Sequence, residues 1–192
     1  MSKWTELKGR ISATRLVSIM ADAATNVLST ISYPHHEIHA GDAYKLSITT
    51  ADLDSEGANN ALHFKIITPN TAKWGHITYD VWASGEGTWN VTEAPSGGMA
   101  GGSPITPINK NRNSTNTSGM VVSDDDTTPV GGTVIDGPIV LGVGNNKVSS
   151  EASEREEFVL KQNTTYSFRL ISVTNLISAR VTLNWYEHTD EN

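Results

Sequence analysis

The densest group of potential metal ligands in this chain is His35-His36-Glu37-Ile38-His39. Imidazole suits zinc or nickel. A zincin-type helix, however, needs two histidines four apart with a glutamate beside the first. His36 and His39 are three apart. The segment follows Pro34 and reads as a short strand, on which those two side chains point to opposite faces. His35, Glu37 and His39 would share a face, but one short strand offers incomplete coordination. The preferred reading is a polar strand face making hydrogen bonds, and no metal ligand is assigned.

The other chemical candidates resolve the same way. Asp124-Asp125-Asp126 lacks the spaced carboxylates and glycine of an EF-hand loop and reads as a solvated acidic turn. Gly142-Val143-Gly144-Asn145-Asn146-Lys147 begins like a dinucleotide loop but has no third glycine and no βαβ setting, so it reads as a strand end and turn. No Gly-x-Ser-x-Gly elbow is present. Nothing places Glu154, Glu156 and Glu157 across a cleft as a glycosidase pair, and a surface charge cluster is the simpler reading. The absence of cysteine removes disulfides, thiolate nucleophiles and cysteine-based zinc sites. No catalytic residue and no cofactor is expected. Of the aromatics, Trp185 belongs to the inward row of its strand. Trp74 and Trp82 are candidate core or interface residues, in preference to a carbohydrate platform.

The elements that position these residues are strands. Over 156–162, Phe158 and Leu160 oppose Glu157, Val159 and Lys161. Over 166–171, Tyr166, Phe168 and Leu170 oppose Ser167 and Arg169. Over 179–187, Val181, Leu183 and Trp185 oppose Arg180, Thr182 and Asn184. This period of two predicts half-buried antiparallel strands. Asn163-Thr164 and residues 174–178 supply the reversals. Earlier strands are expected over 35–39, 44–48, 62–66, 77–81, 89–91 and 139–143, with Pro138 at a strand start or an edge. In the 62–66 strand, Leu62, Phe64 and Ile66 point inward and His63 and Lys65 outward. Residues 94–119 read as a long exposed loop or as one holding a short strand near 105–109. Eight to ten short strands fit an all-β, antiparallel sandwich, most simply a jelly roll.

Residues 1–34 differ. Leu16, Met20, Val27 and Ile31 fall at helix-like spacing, but Thr25, Asn26, Ser29 and Thr30 are weak helix formers. We expect an N-terminal arm or short helix over 1–34 and a sandwich domain over 35–192. The four apolar residues are candidate partner contacts, together with Trp74 and Trp82.

With 14 basic against 21 acidic residues and a net charge of −7, neither nucleic acid nor an anionic membrane surface is an expected partner. No apolar run has the length of a membrane span. Met1-Ser2-Lys3-Trp4-Thr5-Glu6 carries no apolar signal-peptide core, so assembly in a cytoplasm is expected.

Three stretches resemble bacteriophage virion structural proteins: residues 33–41 (Tyr-Pro-His-His-Glu-Ile-His-Ala-Gly), residues 111–118 (Asn-Arg-Asn-Ser-Thr-Asn-Thr-Ser), and the ending from Phe158 to His188. The resemblance covers 33–188 in patches. It implies a non-enzymatic capsid decoration or head-stabilisation protein on the virion surface, bound to the major capsid protein. A homotrimer follows by analogy with shell symmetry. The alternative is a tail-fibre or receptor-binding module for host carbohydrate.

Overall fold

The computed structural model describes residues 6–12, 15–20, 33–57, 60–97, 101–124, 128–142 and 157–189. Two compact units emerge, Met1–His36 and Glu37–Asn192. In the first, β1 (Glu6–Ser12) and β2 (Arg15–Met20) form an antiparallel pair with Glu6 opposite Met20 and Arg10 opposite Leu16. This corrects the helical spacing expected to start at Leu16 and Met20. Val17 and Ile19 are β-branched, which lowers helix propensity and suits a strand. Val27 and Ile31 lie outside the described residues.

The strand expected over His35–His39 is also corrected. Tyr33–Ala40 is a helix, α1. Pro34 sits in its first turn, where the missing N–H has no intrahelical acceptor to serve. The helix stops at Gly41, whose φ of +84° is left-handed. The Gly41 N–H bonds Ile38 O at 3.2 Å and the Asp42 N–H bonds Glu37 O at 3.0 Å, a Schellman closure of the free carbonyls.

The second unit holds β3 (Ala43–Leu53), β4 (Ala61–Ile67), β5 (Lys73–Ala83), β6 (Gly87–Glu93), β7 (Pro104–Ile105), β8 (Ile108–Asn109), β9 (Val121–Asp124), β10 (Thr133–Leu141), β11 (Phe158–Leu160), β12 (Thr165–Ser172) and β13 (Ile177–Thr189). One sheet has the order β11-β5-β13-β3-β8 and the other β10-β6-β12-β4-β9-β7, with every pairing antiparallel. Setting aside the short β7, β8 and β9, each connection crosses between sheets except β6 to β10, which are neighbours in one sheet. That strand order is an eight-stranded jelly roll.

The inward rows are those expected from alternation. Tyr44, Leu46, Ile77, Tyr79, Val81, Val181, Leu183 and Trp185 come from one sheet. Leu62, Phe64, Ile66, Trp89, Val91, Tyr166, Phe168 and Leu170 come from the other, and all belong to one buried cluster. Across the sheets, Tyr79 meets Trp89 at 5.5 Å and Phe168 edge-on at 6.0 Å between ring centroids. His63 and Lys65 do alternate with the inward row, as expected, yet they are buried, and His63 Nε2 lies 2.8 Å from Ser167 Oγ. Pro138 lies in β10, at the end of its sheet, where the pairing with β6 shifts register.

Residues 94–132 leave β6 and return to its neighbour β10, but they visit the far side of the sandwich on the way. There β8 adds to β3, while β9 adds to β4 and β7 to β9. The sequence offered one short strand near 105–109 as an alternative to a loop; two form instead, β7 and β8, in different sheets, and β9 was not expected. Two polar anchors hold this excursion. Asn109 Nδ2 donates to Gly41 O at 2.7 Å and to Asn116 O at 3.0 Å, and Asn111 Nδ2 donates to His39 O at 3.0 Å. Glu187, 3% exposed, accepts from Trp185 Nε1 (3.0 Å), Ser118 Oγ (2.5 Å) and the Gly119 N–H (2.9 Å). A buried carboxylate is tolerable when its lone pairs are met in this way.

Candidate functional site

The outward face of the five-stranded sheet collects the chemically versatile side chains. β5 and β13 pair without a break from Lys73 opposite Thr189 to Ala83 opposite Ala179. Because side chains alternate, Trp74, His76, Thr78, Asp80 and Trp82 all project away from the core. They stand opposite His188, Tyr186, Asn184, Thr182 and Arg180 in turn. β3 extends the polar field, with Lys45 opposite Asn184 and Ser47 opposite Thr182. β11 places Val159 opposite His76.

At one end of this face four side chains lock together. The Glu157 carboxylate accepts from His76 Nδ1 and, at 2.6 Å, from the Tyr186 hydroxyl. The His76 and Tyr186 rings stack with centroids 4.7 Å apart and planes 13° from parallel. His76 Nε2 lies 2.8 Å from His188 Nε2. Glu157 favours a proton on His76 Nδ1, which turns His76 Nε2 toward His188 as an acceptor for its Nε2–H. The His76 side chain is 19% and that of Glu157 37% exposed, so solutes reach the cluster.

At the other end, Trp82 is 38% exposed opposite Arg180. The turns nearby carry exposed Val173 and Leu176. Val173 N–H bonds Glu86 O at 2.9 Å, and Ser178 N–H bonds Ser84 Oγ at 2.8 Å, which ties the β5–β6 and β12–β13 connections together.

Trp74 and Trp82 therefore sit on the sheet's outer surface, Trp74 half-buried and Trp82 exposed, and neither belongs to the core. Trp185 is in the core, 2% exposed, as its alternation requires. Leu16 and Met20 lie on β2. Asp124 accepts from the Ser103 N–H. Asp125, Asp126, Glu154 and Glu156 lie outside the described residues, as does the glycine-rich stretch after Gly142. Sequence reasoning missed the His76–Glu157–Tyr186–His188 cluster, because His76 and His188 are 112 positions apart and only strand pairing unites them. A usable signal existed in the histidines at outward positions of alternating segments.

Among the described residues no three His, Cys, Asp or Glu side chains converge as a ready metal cage. No described helix is long and apolar enough to cross a membrane. No family model, no curated protein and no solved structure matches the chain.

Proposed function

We propose that this protein is a non-enzymatic component of a bacteriophage virion, a decoration or stabilisation protein bound as a homotrimer to the major capsid protein on the outer head surface. The observation that carries this reading is the strand order. An eight-stranded jelly roll is a common shell-building and surface-binding architecture, although a fold alone never fixes a function. The resemblance to virion proteins adds support from a second direction. Two of its three stretches meet in space: Asn111 bonds the end of α1 at His39, and Gly41 packs against Ser114. The third stretch supplies β11, β12 and β13, the last of them central in its sheet.

Trp82, Trp74 and the face between them provide a contact surface of the right kind, since exposed aromatics anchor protein interfaces. The β1–β2 pair is a second attachment element. A two-stranded sheet draws its stability from whatever its faces meet, and many weak contacts on a symmetric shell add through effective concentration. Reconstruction of the intact particle tests the assignment: density for this chain belongs on the capsid lattice. Density confined to the tail refutes it. A monomeric mass at micromolar concentration refutes the trimer.

Exposed Trp82 beside Arg180 also favours a second reading, a tail receptor-binding module that stacks a sugar ring. Glycan-array binding lost in Trp82→Ala with folding intact supports that reading. An array with no signal rejects it.

A further inference from the structure

We propose that His76 and His188 form a binding site for one divalent transition-metal ion of the zinc, nickel or copper type, with Glu157 and Tyr186 as its positioning groups. The argument begins with distance. The two Nε2 atoms converge to 2.8 Å. Metal–nitrogen bonds of about 2.0–2.1 Å place two neighbouring imidazole nitrogens roughly 3.0–3.4 Å apart. A small opening of the pair admits the ion. Both rings stand on paired strands, His76 opposite Tyr186 and His188 opposite Trp74, so the sheet itself sets their separation.

The surroundings of His76 match what a metal-ligating histidine requires. Such a ring gives its second N–H to a carboxylate, which fixes the tautomer and strengthens the donor nitrogen. Glu157 takes the His76 Nδ1–H, leaving the Nε2 lone pair aimed at His188. Tyr186 holds the carboxylate by its hydroxyl and the imidazole by its ring. The rotation that would misdirect Nε2 is blocked on two sides. Binding requires the His188 proton to sit on Nδ1, a buried atom, which makes this ring the weaker of the two ligands.

Water fills the remaining coordination positions, because the described residues bring no third ligand. The site is therefore an open two-histidine site rather than a closed structural cage. Copper binds more tightly than nickel or zinc, following the order of divalent affinities.

The test is calorimetric titration of the untagged full-length chain with copper, nickel and zinc chlorides in separate runs. We expect one ion per chain. His76→Ala and His188→Ala each abolish the heat, and Glu157→Gln weakens binding by about 10–100-fold, the usual effect of losing an orienting carboxylate. Binding that persists in both histidine variants places the ion elsewhere, for example on the histidines of α1, and overturns the proposal. No heat at millimolar metal overturns it as well. Should a variant fail to fold, proton spectra of the wild-type chain decide. Paramagnetic copper must broaden the His76 and His188 ring signals before those of His35, His36, His39 and His63, and broadening in the reverse order refutes the site.

Discussion

Replacing Glu187 isolates what ties the long excursion between β6 and β10 to the sandwich. In the native chain one carboxylate oxygen serves Trp185 Nε1 and Ser118 Oγ, and the other serves the Gly119 N–H. Glu187→Gln keeps the first oxygen and turns an amide NH2 toward the Gly119 N–H, donor against donor. One charge-assisted hydrogen bond is lost, about 1.5–3 kcal/mol. Glu187→Leu removes both acceptors. The Ser118 hydroxyl retains an alternative in Met120 O at 3.3 Å. Trp185 Nε1 and the Gly119 N–H have no replacement, and two stranded donors cost about 2–6 kcal/mol. For a chain of this size 1 kcal/mol shifts Tm by roughly 2–4 °C, so Gln lowers it by several degrees and Leu by about twice as much. Urea unfolding followed by tryptophan fluorescence gives the free energies, and an unchanged m value confirms that the native fold is retained. Amide exchange at Gly119 reports the local contact and accelerates in both variants. A Leu variant as stable as the parent, with Gly119 still protected, refutes the anchoring role.

Three further outcomes follow from geometry and charge. Gly137 has φ of +106°, and a Cβ there lies 2.5 Å from Trp89 O, whereas Gly57 at φ +86° meets nothing within 4 Å. Gly137→Ala therefore costs about 2 kcal/mol or more and Gly57→Ala about 1 kcal/mol, read from denaturant midpoints. Burial, with smaller contributions from Glu187 and Asp42, pushes the Tyr44 hydroxyl up to about 12. Burial, then the hydrogen bond to Glu93, raises that of Tyr166 as well. Above pH 10 the unfolded chain loses these protons first, so it binds fewer than the native state and stability falls as pH rises from 10 toward 12; Tyr44→Phe and Tyr166→Phe each flatten that slope in pH-dependent melting curves, and equal slopes contradict it. Removing residues 1–32, ahead of α1, leaves a cooperatively folded sandwich by circular dichroism but abolishes co-sedimentation with capsids, and retained co-sedimentation excludes the arm from attachment.

Strand identity and inward rows were legible because burial on one face imposes a period of two. Tyr166, Phe168 and Leu170 on β12, and Val181, Leu183 and Trp185 on β13, announce themselves in this way. Local signals misled where a single residue had two meanings. Pro34 reads as a helix stop from the preceding side but is a good first-turn residue from the following side. β9 escaped notice because its four residues carry only two adjacent apolar residues, Val121 and Val122, and show no alternation. His63 and Lys65 sit at outward positions, yet burial on that face depends on contacts that alternation does not encode. The His76 cluster was hidden for a different reason, since cross-strand register is a long-range property.

The lengths of the outermost strands bear on survival at high concentration. Of the described edges, β7 and β8 have two residues each and β11 three. β10 is longer, but Pro138 lacks an N–H and two register shifts bend its ladder. None of these four edges of the two sandwich sheets offers a straight row of unpaired amides for a second chain to copy. The sandwich thus resists runaway stacking into fibrils through its sheet edges, and its encounters are left to side chains, which discriminate between partners.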